Sequence, residues 1–147
     1  MGTQDRIKLS TKNGKTGYTI NRFDIIPHNP GVAGSSNNVN IVAKIFTKTQ
    51  EGAVSAIVDF TDSELIAVNY YENDQSVALS DGGARIIFDM KVFNQDIFIT
   101  MEDSTGKTVP CNYYIELKTM ELSDIQATQL TLKSIRTVTS RWVNNII

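Results

Sequence analysis

The chain of 147 residues holds one cysteine, one histidine and three prolines. With Cys111 alone, no internal disulfide can form, and a reducing compartment of synthesis fits. One Cys and His28 cannot supply the three or four soft ligands of a zinc centre. No apolar run reaches the roughly 18 residues needed to cross a membrane as a helix. The opening MGTQDRIKLS lacks the apolar core of a signal peptide, and Arg6 stands where an N-myristoylation signal has Ser or Thr. An excess of positive charge is missing too: the net charge is −2, which argues against general binding to nucleic-acid phosphates. These absences set the expectation of a soluble protein made in the cytoplasm, with no cofactor and with neither membrane nor nucleic acid as partner.

What is present is β-structure. Short segments rich in β-branched and aromatic residues recur between Gly, Asn, Asp and Pro. RIKLSTK and GYTINRFDIIP flank an Asn13-Gly14 turn signal, so a hairpin of residues 6–12 and 17–27 is expected. Along the second segment the apolar row shifts from Tyr18 and Ile20 to Phe23 and Ile25, and a β-bulge near Asn21-Arg22 would restore one buried face. NVNIVAKIFTKT is apolar on both faces, the mark of a strand in mid-sheet or beneath a neighbour. AIVDF, LIAVNYYEN, ARIIFDMKVF, DIFITMED and CNYYIELKTM complete about eight strand candidates, with Pro110 at the only place a strand accepts it, its beginning. No helix-length amphipathic segment separates them. The expected fold is all-β: an antiparallel sandwich of jelly-roll type over residues 1–122, followed by a helix or arm over 123–147.

That second segment opens on SDIQ, a capping box in which Ser123 accepts from the Gln126 amide while the Gln126 side chain reaches back. Ile125, Leu132, Ile135, Val138 and Trp142 then fall on one helical stripe. LTLKSIRTV also alternates as a strand, and Thr131, Thr137 and Thr139 are poor helix formers, so both readings stand at this point.

Catalytic constellations are weak. Cys111 opens a strand on its inward row and reads as a packed, inert thiol, and His28 reads as a solvated loop residue. Asp59, Asp62 and Glu64 cluster at a corner, and Asp81 and Asp103 lie in loops, but their spacing matches no calcium loop, so turn residues are the expectation and no metal is assigned. Glu102 and Glu116 could face each other as a carboxylate pair, although exposed strand carboxylates, Glu116 with Lys118, are the simpler reading. NGKTG lacks the second half of a phosphate-binding loop. No enzyme is expected. The residues left over are apolar: Tyr70, Tyr71, Tyr114, Met120, Trp142, Val143, Ile146 and Ile147 exceed what one sandwich must bury and suggest an interaction surface.

The strings QDRIKLSTKNGKTGY, VDFTDSELIAV, FNQDIFIT and NYYIELKTM with TLKSIR resemble a family of small virion proteins from tailed phages of marine cyanobacteria and related bacteria. The similarity runs from about Gln4 to Arg136. It implies a capsid decoration, or cement, protein on the outer shell, whose partner is the major capsid protein, with further copies of itself as a second candidate. On that expectation Trp142, Val143, Ile146 and Ile147 anchor the chain to the shell, Arg136 and Arg141 meet shell carboxylates, and Tyr114 and Met120 face the partner. The alternative for the apolar tail is that it folds back over its own sheet. Two other functions compete: a tail, neck or baseplate component, and a carbohydrate-binding module stacking sugars on Tyr70, Tyr71 or Tyr114.

Overall fold

A computed structural model describes residues 2–28, 39–73, 85–88, 91–106 and 110–133. Among these lie seven strands: β1 (Thr3–Ile7), β2 (Thr16–Pro27), β3 (Val39–Phe46), β4 (Leu65–Asn73), β5 (Arg85–Ile87), β6 (Ile97–Asp103) and β7 (Cys111–Glu121). A helix, α1, follows over residues 124–133. All pairings are antiparallel, in a five-stranded sheet of order β1-β6-β3-β4-β5 and a two-stranded sheet β2-β7. The expected all-β sandwich is what the chain forms.

The core lies between the sheets. Ile20, Phe23 and Ile25 of β2 meet Ile41, Ala43 and Ile45 of β3, with Ile66, Phe93, Ile97 and Ile99 around them. β3 is central in its sheet and buried at every position from Ile41 to Phe46, as its two apolar faces imply. Its second face carries a smaller cluster of Val42, Phe46, Leu65 and Val68. Ala56 packs against that cluster from an irregular segment, which also receives a 2.7 Å hydrogen bond from Lys44 Nζ to the Ile57 carbonyl. AIVDF therefore runs unpaired: Ile57 and Phe60 stand exposed, because this stretch covers a sheet face instead of extending a ladder. Lys44 itself is buried, and desolvation lowers its pKa.

The expected first hairpin does not form. β1 pairs with β6 in the larger sheet, Thr3 opposite Met101 and Ile7 opposite Ile97, while β2 belongs to the other sheet. The turn signal is genuine nonetheless. Lys12, Asn13 and Gly14 all take positive φ, and the Thr16 amide donates to the Thr11 carbonyl at 2.9 Å. The turn redirects the chain from one sheet to the other. Its tip is held by buried Asn94, whose Nδ2 donates to the Gly14 carbonyl at 3.0 Å and to Thr131 Oγ1 of α1 at 3.4 Å.

The bulge lies where the apolar row predicts it. Ile20 faces Leu117 and Arg22 faces Glu116, leaving Asn21 as the surplus residue. Without it Ile20 and Phe23 could not share a face, since side chains alternate strictly along a strand. At the other end, Ser123 Oγ accepts from the Gln126 amide at 3.2 Å and Gln126 Oε1 accepts from the Ser123 amide at 3.1 Å, so the capping box opens a helix. The helix presents a different face from the one its apolar stripe suggests. Ala127 is buried, whereas Ile125 is 72% and Leu132 50% exposed. The helix meets Asn94 through Thr131, and Leu130 is half-buried over a cavity beside it. Ile135, Val138 and Trp142 lie outside the described residues.

Deleting Asn21 should turn Ile20 and Tyr18 to solvent and cost more than about 3 kcal/mol. Asn21→Ala keeps the bulge and should cost within about 1 kcal/mol. Urea unfolding of the two variants against the parent checks the difference.

Candidate functional site

The two-stranded sheet carries the residues singled out from sequence. Tyr18, Ile20, Phe23, Ile25 and Pro27 of β2 point inward, opposite Thr119, Leu117, Ile115, Tyr113 and Cys111 of β7. The outward row sets Thr19 beside Lys118, Arg22 beside Glu116, Asp24 beside Tyr114 and Ile26 beside Asn112. On this outward face Ile26 is 58%, Tyr114 56% and Met120 39% exposed. β7 contributes no fully buried residue: even its inward Ile115, Leu117 and Cys111 are only half covered.

Polar groups around the exposed rings are tied to each other. The Arg22 guanidinium lies 5.7 Å from the Tyr114 ring centroid, and both Arg22 and Arg85 bind the Asp24 carboxylate. Burial pushes the Asp24 carboxyl up, but the two guanidinium groups outweigh it and hold the pKa below its ordinary value. Glu116 accepts from Asn21 Nδ2 at 2.5 Å, so its partner is the bulge residue and not Lys118. The face combines rigid aromatic and apolar area with neutralised charge, which suits contact with another surface.

Chemistry has little foothold here. The register brings the one histidine next to the one cysteine, since the His28 amide donates to the Pro110 carbonyl at 2.9 Å and Pro27 pairs with Cys111. Sequence spacing gave no hint of this. No imidazole acts on the thiol, however. Burial pushes the Cys111 pKa up to about 11, against a smaller lowering by the Ile26 amide, so the group stays a neutral thiol near pH 7. Glu102 and Glu116 do not face each other, because Glu102 belongs to β6 in the opposite sheet. Asp59 Oδ1 accepts from the Thr61 amide and hydroxyl, Asp62 Oδ1 from the Glu64 amide, and Asp103 Oδ1 from the Thr105 amide and hydroxyl. These carboxylates shape turns, as expected. Asp81 lies outside the described residues, among which no cluster of His, Cys, Asp or Glu could hold a metal ion.

The tyrosines do not form a platform. Tyr70 packs with the smaller cluster on one side of β4, Tyr71 with the main core on the other, and Tyr114 stands on the second sheet. A cavity of about 70 Å³ lies beneath α1, lined by Lys48, Lys91, Lys133 and Glu64 over Ile66 and Phe93. Ligand clefts for small organic molecules run to about 300 Å³ and more, larger than this cavity, whereas an open hollow of about 470 Å³ lies between α1 and the 12–15 turn. Of the residues expected to bind a partner, Tyr114 and Met120 are exposed, as a contact surface requires. Arg136, Arg141, Trp142, Val143, Ile146 and Ile147 lie outside the described residues.

No protein-family model, curated protein or solved structure matches this chain.

With its thiol held protonated, Cys111 should react with iodoacetamide at pH 8 about 100-fold more slowly than an unperturbed cysteine. Because its folded pKa is raised from 9.0 to about 11, the stability it contributes is complete below pH 9 and is lost as pH rises through 11. Alkylation followed by mass spectrometry, and unfolding at pH 8 and 11 beside Cys111→Ala, check both statements.

Proposed function

We propose that this chain is a non-catalytic structural protein of a phage particle, a decoration protein that docks on the outer capsid surface and braces neighbouring subunits of the major capsid protein. The observation that carries the binding part of the reading is the outward face of the β2-β7 sheet. There Ile26, Tyr114 and Met120 stand in solvent beside Arg22, whose guanidinium is already paired with Asp24. A protein that worked alone would gain nothing from rigid aromatic and thioether groups held out of its core, whereas such groups are enriched where subunits meet.

The head-surface part of the reading draws on the resemblance to small virion proteins and on the apolar ending WVNNII. In this reading Trp142, Val143, Ile146 and Ile147 are the anchors, with Arg136 and Arg141 hydrogen-bonding to shell carboxylates. Many weak contacts on one shell reinforce each other, because each bound segment raises the local concentration of the next. A tail, neck or baseplate position in the same particle uses the same surface and differs only in where the copies sit. A carbohydrate-binding role would rest on Tyr114 alone, since Tyr70 and Tyr71 pack against apolar clusters on opposite sides of β4.

Gold or fluorescent labelling of the protein in intact virions should give signal over the whole head. Signal confined to one vertex or to the tail replaces decoration with the tail-component reading. Deleting residues 141–147 should leave a folded chain that no longer sediments with assembled shells, and a truncated chain that decorates as well as the parent removes the anchor assignment.

A further inference from the structure

The edges of the two sheets are protected to very different degrees. β1 has five residues and β5 three, so both offer shorter edges than β7. β2 is long, but its outer edge is bent by the Asn21 bulge and closed at Tyr18, which exchanges both backbone hydrogen bonds with Phe93 at 2.8 and 3.0 Å. Asn69 Nδ2 takes the Phe23 carbonyl on the same side at 3.0 Å. Among the described residues β7 has none of these guards. It runs eleven residues without a bulge of its own or an internal proline, and among the described strands it pairs with β2 alone.

The direction of its unpaired groups follows from its ends. Leu122 donates to Lys15 and the Pro110 carbonyl accepts from His28, both on the β2 side. In an antiparallel ladder alternate residues bond to the same neighbour, so even-numbered residues face β2. The odd-numbered residues from Cys111 to Glu121 therefore present their N–H and C=O groups to the open edge. Their side chains form the inward row, whose Ile115 and Leu117 are half covered.

We infer that the open edge of β7 pairs with β7 of a second copy of this chain, antiparallel about a two-fold axis at Leu117. A two-fold permits only registers in which a residue lies opposite its own counterpart, and the charges select among them. Centring on Glu116 or on Lys118 sets like charges face to face. Centring on Leu117 places Glu116 opposite Lys118 of the second copy and repeats that pair by symmetry. It also sets Tyr114 opposite Met120, an aromatic–sulfur contact, and Ile115 opposite Thr119. Leu117, with its backbone groups on the open side, becomes a hydrogen-bonded pair with itself. Glu116–Lys118 and Tyr114–Met120 become the non-hydrogen-bonded pairs, in which side chains lie closest. The result is one sheet of order β2-β7-β7-β2 whose outward face is doubled and whose inward row gains cover at Leu117. The inference does not rest on the virion reading, since it is tested on purified protein.

Sedimentation velocity of the full chain over a concentration series should show a dimer. Lys118→Glu and Glu116→Lys should each weaken dimerisation about tenfold or more, because attraction turns to repulsion at two symmetric positions. Combining both changes should restore the dimer, which a merely misfolded variant would not do; circular dichroism checks folding of each. In amide exchange, Leu117 and Thr119 should be protected in the dimer and exposed in Lys118→Glu. A parent chain that stays monomeric overturns the pairing. So does a dimer indifferent to both single changes, a double variant that does not recover, or a dimer in which the Leu117 amide exchanges freely.

Discussion

The packing of Phe23 against the larger sheet depends on one surplus residue. β2 brings Ile20, Phe23 and Ile25 to the same buried face only because Asn21 is taken up as a bulge. Strand alternation would otherwise send half of those side chains into water, and the two-stranded sheet would have nothing to hold it on the five-stranded one. Asn21 is then reused outside, where its amide fixes Glu116 in the outward row. One insertion thus builds the core and orders the surface that faces away from it.

The two faces of the larger sheet are managed differently. One is covered by a regular sheet, the other by an irregular segment whose Ala56 packs on Val42, Phe46, Leu65 and Val68 and whose Ile57 carbonyl takes Lys44. A buried ammonium must be hydrogen-bonded, so Lys44 ties that segment down where apolar contacts are few. The opposite end is tied by Asn94, which joins the 12–15 turn to α1. These two polar ties position the connections, while the apolar clusters provide the adhesion.

The proposed function draws on what this arrangement leaves in solvent. The thiol is half-buried and neutral, Asp59 and Asp103 shape turns, Asp24 is held by two guanidinium groups, and the outward side of β2-β7 keeps its aromatic and thioether groups exposed. The proposed binding role on a phage shell and the inferred pairing of β7 would use the same strand in different ways, one its outer face and the other its hydrogen-bonding edge.

Much of this was legible in the residues themselves. Local chemistry determined the capping box at Ser123 and Gln126, the positive-φ turn at Asn13-Gly14, the bulge at Asn21 and the two apolar faces of Val39–Phe46, because each depends on neighbours within a few positions. Tertiary structure alone decided that β1 joins β6 instead of β2, that Glu102 and Glu116 lie on different sheets, and that Ala127 rather than Ile125 and Leu132 meets the body of the protein. Alternation and propensity say which face of a segment is apolar. Which surface comes to lie against that face is a matter of long-range packing, and no local pattern encodes it.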